Sequence, residues 1–528
     1  MKIENLKFGK YSTSNSRSAR WAEVGEIKQT ATLIDVEKED NVGGGIPLIV
    51  ENDGKQIYVD SSDTNTMVFG ASGSKKTRML CVPLIYNLIL SSENMIISDP
   101  KGELHQKTSG LAAAKGYTTI LLDFRNLERS SDSWNPLEMI YDLYHDGKGH
   151  EANTLIKKML NTISEGQRRS SKEPYWTNMA CLQLYAYLKF FIATSTKKEA
   201  NFYNFCKFFI SNNSKERAEE LSNFVAKGSD EHEAFLASTK NADNTYNCIC
   251  SSAVEILQMF IQNYKLGQVL SKSSFDLRQL LKSKTAIYIV IPDEETTLYP
   301  LISIFVKATY ELLIQEAQQQ KDRPELPTRV NYVLDEFGNL PPLPDFSAQI
   351  SAGRSRNIRF FLFVQSLSQI EEKYGPCTTK TIIGNTENLI FLSSREESLL
   401  KYFEFLCGKR YFKDLKGGLA GESLISTSEL QRLKKQRCYS QALILYSRHY
   451  PFIAELPDEE LYQVGNYSPV KSKEKQLPKI TPYDVHKITN EIKDGKRSIV
   501  FSEEVHGEQR FFDKKEIKDI KDSDIWDW

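Results

Sequence analysis

The segment TMVFGASGSKKTRMLCVPLIYNLIL, residues 66–90, decides the fold of this chain. Its apolar run up to Gly70 predicts a buried strand, and the apolar residues after Thr77 extend over a helical length. A loop of small residues joins the two and ends in Lys76 and Thr77, as in the phosphate-binding pattern G-x-x-x-x-G-K-[ST]. Lys75 occupies the position of the second glycine, so the match is incomplete.

A phosphate loop binds anions because its backbone N–H groups point inward at the start of a helix, and a lysine reaches the β- and γ-phosphates. We expect Lys76 to be that lysine and the Thr77 hydroxyl to bind Mg²⁺. Because Lys75 has a side chain where glycine has none, that side chain must either point away from the phosphate or join in binding it. The residues predicted to contact the nucleotide are Gly70, Ala71, Ser72, Gly73, Ser74, Lys75, Lys76, Thr77 and Arg78.

A second motif, YVLDEF at residues 332–337, places two carboxylates at the end of an apolar strand. Paired carboxylates in this position suit magnesium chemistry. Asp335 is predicted to bind the ion through water, and Glu336 to polarise the water that attacks the phosphate. The alternative is a polar turn or helix cap that follows the strand. The phosphate loop earlier in the chain favours the first interpretation.

Arginines and a glutamine flank the next strand. The run SAGRSRNIRF offers Arg354, Arg356 and Arg359 before or at its start, and Gln365 ends it. Arginine stabilises the charge on a transferring phosphoryl group and is often supplied by a neighbouring subunit. Gln365 would lie at the sheet edge where ligands bind, suited to sensing phosphate or placing water. Solvated charges and an ordinary polar strand end are the respective alternatives.

Strands alternating with helices predict an α/β fold built on a mostly parallel sheet. Strand signals nearly vanish between about 141 and 284, which indicates an all-helical insertion. Its aromatic residues are predicted to be core: Tyr175, Trp176, Tyr185, Tyr187, Phe190 and Phe191. The predicted divisions are a lead-in (1–45), the nucleotide-binding domain in two parts (46–140 and 285–465), the all-α insertion (141–284) and a polar tail (466–528).

The composition excludes several classes of protein. The 528 residues carry a net charge of −1, so a basic surface for nucleic acid must be local. The eight cysteines form no C-x-x-C pair and are predicted to be reduced thiols rather than zinc ligands. No run approaches the roughly 18 apolar residues of a membrane-spanning helix, and the first 20 residues do not look like a signal peptide. We therefore expect a soluble intracellular chain.

Four segments occur in the order SDPKGEL, IYIVIPDEETT, LDEFGNLPPLPDFSAQISAGRSRNIRFFLFVQSLSQIEEKYG and IIGNTENLIFLSS. They resemble the type IV coupling proteins of conjugation and type IV secretion, and most of all the Gram-positive TraG/VirD-like branch. The resemblance runs from about residue 18 to 456, and the Asp-Glu-Phe block and the strand ending in Gln365 are its most specific parts.

This resemblance implies a RecA-like P-loop NTPase that assembles as a hexamer. It also implies an inserted all-α domain that faces the substrate. It implies ATP and Mg²⁺ as cofactors. Carried over by position, Lys76 and Thr77 match the Walker A residues, Asp335 and Glu336 the Walker B pair, Arg354 the arginine finger and Gln365 the sensor-like glutamine. The implied partners are DNA, single-stranded and contacted through its backbone, a relaxase, and the channel proteins and ATPases of the secretion system.

Two departures from the family keep alternatives open. Lys75 replaces a glycine, which permits a recruitment adaptor that does not hydrolyse ATP. The usual N-terminal membrane helices are missing, so either this is a soluble form or a separate membrane protein anchors it at the inner face of the cell membrane. Another DNA motor of the FtsK/HerA class is the remaining rival. The terminal DIWDW (524–528) suggests a docking peptide for a partner.

Overall fold

The computed structural model describes residues 18–127, 132–261, 263–292, 296–320, 323–413, 419–471 and 477–496, together with the short pairs 504–505 and 508–509. The terminal DIWDW motif lies outside the described residues. None of the helices in these ranges combines the length and hydrophobicity that crossing a bilayer requires.

The strands fall into one large sheet and smaller ones. In chain order they are β1 (Thr32–Asp35), β2 (Ile46–Glu51), β3 (Gln56–Asp60), β4 (Thr66–Gly70), β5 (Asn94–Ser98), β6 (Thr118–Asp123), β7 (Thr285–Val290), β8 (Val330–Leu334), β9 (Ile358–Val364), β10 (Asn388–Ser393), β11 (Lys409–Lys413), β12 (Leu419–Ser423), β13 (Tyr439–Tyr446), β14 (Phe452–Pro457), β15 (Glu504–Val505) and β16 (Glu508–Gln509). The apolar runs TMVFG (66–70), NMIIS (94–98), YTTILLDF (117–124), TAIYIVIPD (285–293), RVNYVLDEF (329–337), IRFFLFVQS (358–366) and NLIFLSS (388–394) predict strands, and all seven are confirmed as β4 to β10.

Helices connect these strands and fill the stretch between β6 and β7. They are α1 (Val24–Thr30), α2 (Val82–Leu90), α3 (Glu103–Ala114), α4 (Glu138–His145), α5 (Gly149–Ser170), α6 (Pro174–Thr194), α7 (Phe202–Ser211), α8 (Lys215–Ser222), α9 (Asp230–Thr239), α10 (Asp243–Ile261), α11 (Tyr264–Val269), α12 (Gln279–Lys282), α13 (Tyr299–Gln318), α14 (Phe346–Gly353), α15 (Leu367–Gly384), α16 (Glu397–Cys407), α17 (Thr427–Leu430) and α18 (Val485–Lys493).

The large sheet has the order β14-β13-β10-β4-β9-β8-β5-β7-β6. The strands from β10 to β6 run parallel, whereas β13 and β14 are antiparallel additions at one side. Both faces are covered, which explains why the central strands read as continuous apolar runs. One strand, β9, separates β4 from β8. The carboxyl ends of these three strands therefore meet at one edge, where ligands bind in open α/β sheets.

The two faces of the sheet carry different layers. Helices α2 and α3 and the antiparallel sheet β1-β3-β2 pack on one face. The helical stretch α4–α12, with α13, packs on the other. Within residues 18–45, part of the stretch predicted as a polar lead-in, α1 and β1 form and bury Ile27 and Ile34. Charged residues lie on both sides of these short apolar stretches, so the local pattern gave little sign of a buried helix and strand.

The aromatic residues of α6 divide into two groups. Tyr185, Tyr187, Phe190 and Phe191 are buried, as predicted. Tyr175 is 51% exposed, so the prediction that it packs in the core is wrong. Trp176 is only half-buried, and its indole N–H donates to Glu173 at 2.9 Å. These two residues lie in the first turn of α6, where the helix begins before its apolar face meets the rest of the layer.

Candidate nucleotide site

The loop after β4 is held open by bonds at its base. The Ala71 N–H donates to the Ser393 carbonyl of β10 at 2.9 Å, and the Ser74 N–H closes a turn on the Ala71 carbonyl at 3.0 Å. A Cβ on Gly70 would collide with the hydroxyl of Ser74. Gly73 has a φ of 73°, in the left-handed region that favours glycine. Small residues are therefore required where the loop turns most tightly.

The interior of this loop presents free donors. Within the described part of the chain, the backbone N–H groups of Gly73, Lys75 and Lys76 have no carbonyl partner. A π-helical turn, Thr77–Cys81, begins directly afterwards and continues into α2. Unpaired N–H groups at a helix start form an anion-binding concavity, and the helix dipole adds positive potential there.

Lys76 lies between the loop and the acidic motif. Its ammonium donates to the Gly70 carbonyl at 2.7 Å, and Nζ lies 3.9 Å from Oε1 of Glu336. The side chain is 5% exposed, and burial lowers the pKa of its ammonium, partly offset by the charges of Glu336 and Asp335. The lysine of the loop and the carboxylate of the acidic motif thus meet across β9.

The acidic pair and Gln365 complete this cluster. Gln365 donates from Nε2 to Oε2 of Glu336 at 2.9 Å. Glu336 has a φ of 51°, a left-handed conformation that is costly for a residue with a Cβ and is found mainly at functional sites. Asp335 is buried, and burial followed by the neighbouring charge of Glu336 raises the pKa of its carboxyl to about 7. The four predicted residues that follow β4, β8 and β9, namely Lys76, Asp335, Glu336 and Gln365, therefore converge at one edge of the sheet.

Lys75 points away from the loop interior, which decides between the two alternatives left open by the sequence. Its φ is 69°, in the left-handed region that favours glycine. Its ammonium donates to the carbonyls of Gln436 at 3.0 Å and Arg437 at 2.7 Å, and lies 3.1 Å from Oδ2 of Asp458. We call residues 434–437 the basic strap.

The basic strap braces the outside of the loop at a second point. Lys435 donates from Nζ to the Gly73 carbonyl at 2.6 Å. Arg78, predicted to contact the nucleotide, instead donates to Asp458 at 2.8 Å and to Glu460 at 2.7 Å. Asp458 therefore binds both Arg78 and Lys75. The side chains outside the loop hold its shape, and its inner donors remain unobstructed.

We expect Lys75→Met to be less stable than Lys75→Gly by about 1 kcal/mol, measured by chemical denaturation. Both substitutions remove the bonds to the strap, but only methionine keeps a Cβ at a positive φ, which costs about that much. Lys75→Met itself should lose roughly 2 kcal/mol relative to the unmodified chain. Equal stability of the two variants would show that the backbone at this position is not strained.

The three candidate arginines differ in their burial and in their position relative to the cluster. Arg359 lies within β9, is 1% exposed, and donates to Glu93 at 2.7 Å and to Asn331 at 2.9 Å. A fully enclosed and paired guanidinium has no access to a nucleotide, so Arg359 is a structural residue. Arg356 is half-buried and precedes β9, so it lies outside the cluster.

Arg354 is not part of the cluster in its own chain. It precedes β9, whereas the cluster lies beyond the other end of that strand, and seven residues of strand span about 20 Å. Its side chain is 56% exposed and contacts Glu387, which lies before β10 at the same edge. A residue at this edge is available to another molecule and not to the site of its own subunit.

Asp99, which belongs to the segment SDPKGEL, is a further polar group at the site, and none of the motifs described above assigns it a role. It is fully buried at the end of β5, next to β8, and its Oδ2 accepts a bond from the His105 N–H at 2.8 Å. Burial raises the pKa of this carboxyl to about 6. The sequence could have pointed to this residue, because Asp99 directly follows a buried apolar strand just as Asp335 does.

The match to known proteins agrees with this geometry. A family model described as "Type IV secretory system Conjugative DNA transfer" matches residues 17–437. This chain belongs to that family. The resemblance to the type IV coupling proteins is thereby confirmed. The predicted RecA-like P-loop fold with an all-α domain is confirmed by solved structures of the same architecture.

Curated members of the family are distant in sequence. Protein VirD4 of Rhizobium radiobacter is 20% identical over 410 residues, covering 75% of this chain and 55% of that protein. The conjugal transfer protein TraG of Escherichia coli is 21% identical over 379 residues, covering 67% of this chain and 58% of that protein. The chain thus spans little more than half the length of the curated family members it matches.

The fold likeness to solved family members covers most of the chain. The conjugative coupling protein TrwBdeltaN70, in its unbound monoclinic form, has a TM-score of 0.57 at 19% identity, covering 86% of this chain and 94% of that one. TrwB in complex with the non-hydrolysable ATP analogue ADPNP has a TM-score of 0.57 at 17% identity, covering 89% and 99%. TrwB has also been solved with ADP and Mg²⁺, with a TM-score of 0.55 at 17% identity and coverage of 88% and 99%.

Proposed function

We propose that this chain is the coupling ATPase of a conjugative or type IV secretion system, which binds ATP and Mg²⁺ at residues 70–77 and uses hydrolysis to drive or gate DNA transfer. The observation that carries the proposal is the convergence of Lys76, Glu336 and Gln365 at the carboxyl edge of the sheet. The TrwB complexes with ADPNP and with ADP and Mg²⁺ support the same ligands here.

Each residue of the cluster has a separate task in this proposal. The free N–H groups of Gly73, Lys75 and Lys76 bind phosphate oxygens, and the Lys76 ammonium leaves the Gly70 carbonyl to neutralise the β- and γ-phosphates. Glu336 orients and polarises the attacking water, and the Gln365 amide fixes the direction of that carboxylate.

The Thr77 hydroxyl and Asp335 suit magnesium, which prefers oxygen ligands and keeps several of its waters. Thr77 starts the helix after the loop, and Asp335 ends β8 on the face where that helix packs. Magnesium held by these residues would supply positive charge that offsets the charge developing on the phosphates. The buried Asp335 carboxyl, whose pKa is raised in the free protein, would be held ionised by such a cation.

The proposed partners are based on the family to which the chain belongs and on the exposed position of Arg354. We propose that relaxase-bound, single-stranded DNA is the substrate, contacted through backbone phosphates, and that channel proteins and their ATPases receive it. A hexamer at the inner face of the cell membrane, with or without a separate anchor protein, would place Arg354 of each subunit at its neighbour's nucleotide.

The test is ATP turnover with and without single-stranded DNA over a range of protein concentrations. DNA-stimulated turnover that rises more steeply than the protein concentration is expected, because a neighbour completes the site. Lys76→Ala should weaken nucleotide binding by about 10- to 100-fold, since a charged hydrogen-bond donor is lost. Lys487→Ala, which removes an exposed lysine on α18, is the control and should have no effect.

The rival functions predict other results. A recruitment adaptor would retain relaxase binding without measurable turnover in the unmodified protein. An FtsK/HerA-type motor would hydrolyse ATP with double-stranded DNA and without any dependence on a relaxase. The outward direction of Lys75 favours the coupling ATPase over the adaptor, because that lysine does not occupy the phosphate site.

A further inference from the structure

Asp99 carries a buried carboxylate oxygen that no role proposed above uses. Oδ2 is bound to the His105 N–H at the start of α3. Oδ1 has no hydrogen-bond partner anywhere in the described ranges, and the residue is fully buried. Burying an acceptor without a partner is costly and rare in folded proteins. A donor from outside the chain would satisfy this oxygen.

The strand register places Asp99 beside Asp335. Ser98 of β5 pairs with Leu334 of β8, and the Ser98 hydroxyl donates to the Asp335 carbonyl at 2.9 Å. The two aspartates therefore follow adjacent strands at the same level. The residues two positions earlier in each strand pack on the face covered by α2, and alternation along a strand directs both carboxylates to that face.

That face holds the start of the helix that follows the phosphate loop. Cys81 is fully buried in the π-helical turn, one turn after Thr77. Burial, then the charges of Asp335 and Asp99, raise the pKa of the Cys81 thiol well above its ordinary value. Both carboxylates thus lie close to the helical turn that begins with the predicted magnesium ligand Thr77.

The cationic side chains of this region have other partners. Arg125 donates to the Lys101 carbonyl at 2.6 Å, and its Nε lies 3.5 Å from Oδ1 of Asp123. Lys76 donates to the Gly70 carbonyl. Neither cation donates a hydrogen bond to Asp99.

We propose that Oδ1 of Asp99 accepts a hydrogen bond from a water in the hydration shell of the nucleotide-bound Mg²⁺ and so positions the ion beside Asp335. This inference rests on the proposed function. It makes Asp99 a positioning residue, which acts through water and does not touch the nucleotide. Acceptors in the outer shell of a metal orient its ligands, and their loss typically weakens metal affinity by about 10- to 100-fold.

The test compares the affinity for a fluorescent ADP analogue in Mg²⁺ with that in EDTA. Asp99→Asn keeps an oxygen for the His105 N–H and converts the free oxygen into an amide donor. We expect the affinity gain caused by Mg²⁺ to fall about tenfold, while the affinity in EDTA stays unchanged. Asp123→Asn changes an aspartate at the end of β6, two strands away at the same sheet edge, and should leave both affinities unchanged.

The outcomes separate this inference from the proposed function. Undiminished Mg²⁺ dependence in Asp99→Asn would overturn the role of Asp99 and leave the proposed function intact. An equal loss in Asp123→Asn would also overturn it, because a general change in charge would then be the cause. Absence of nucleotide binding by the unmodified protein would overturn both. If Asp99→Asn does not fold, Asp99→Ser removes the same free oxygen and gives the same readout.

Discussion

Replacement of Arg354 by alanine is expected to lower ATP turnover of the assembled protein on the order of 10³- to 10⁵-fold, the range that arginine fingers contribute. The reason is its position: Arg354 is exposed at the amino edge of the sheet, away from its own nucleotide site. Nucleotide affinity of the isolated chain should not change. Stability should change little as well, because the contact with Glu387 is exposed to solvent.

Arg356→Ala is the matched control for this prediction. Arg356 lies in the same helical turn, two residues further on, and is half-buried, so it tests whether any positive charge in this turn suffices. Turnover is measured at a protein concentration where the unmodified chain is fully assembled. A similar loss of turnover in both variants would assign the effect to the general positive charge of this surface. Full activity of Arg354→Ala would show that Arg354 is not an arginine finger.

Replacement of Glu336 by glutamine should lower turnover on the order of 10²- to 10⁴-fold, the usual contribution of a general base, while nucleotide affinity is retained. The substitution has nearly the same shape and still accepts from Gln365, but the amide polarises water far less than a carboxylate. Removing one charge next to Asp335 and Lys76 should leave binding intact or tighten it. Single-turnover kinetics with a fluorescent ATP analogue separate binding from cleavage.

Glu372→Gln serves as the control for this substitution, since Glu372 is exposed on α15. Loss of nucleotide binding together with turnover in Glu336→Gln would contradict a role confined to the cleavage step. Retained turnover would instead point to a different base.

Mixing the two inactive variants tests whether the site is shared between subunits. An Arg354→Ala subunit keeps an intact Glu336, and a Glu336→Gln subunit keeps an intact Arg354. Mixed assemblies therefore contain some interfaces with both groups, and a fraction of the activity should return. If Arg354 acted within its own chain, no mixture would recover activity.

Four residues that follow three of the strands show how much of the candidate site the sequence predicts. Asp335, Glu336 and Gln365 directly follow strongly apolar runs, and Lys76 ends the loop that follows another. The structure brings these four residues to one edge of the sheet as predicted. Whether they carry the assigned roles stays a prediction. Arg359 illustrates the limit: as a sequence it looks like its neighbours Arg354 and Arg356, yet Glu93 from a distant segment encloses it.

The sequence by itself determined strands β4 to β10, the loop of small residues after β4 and the polar residues that follow the strands. These features are local: an apolar run, the residue that stops it and the small residues of a turn lie within a few positions of one another. Only the tertiary structure decided which strands are neighbours, where Lys75 points and that Asp99 stands beside Asp335 with an unpaired oxygen. Those facts depend on contacts between remote segments, whose free energies exist only once the sheet is assembled and the basic strap has reached the loop.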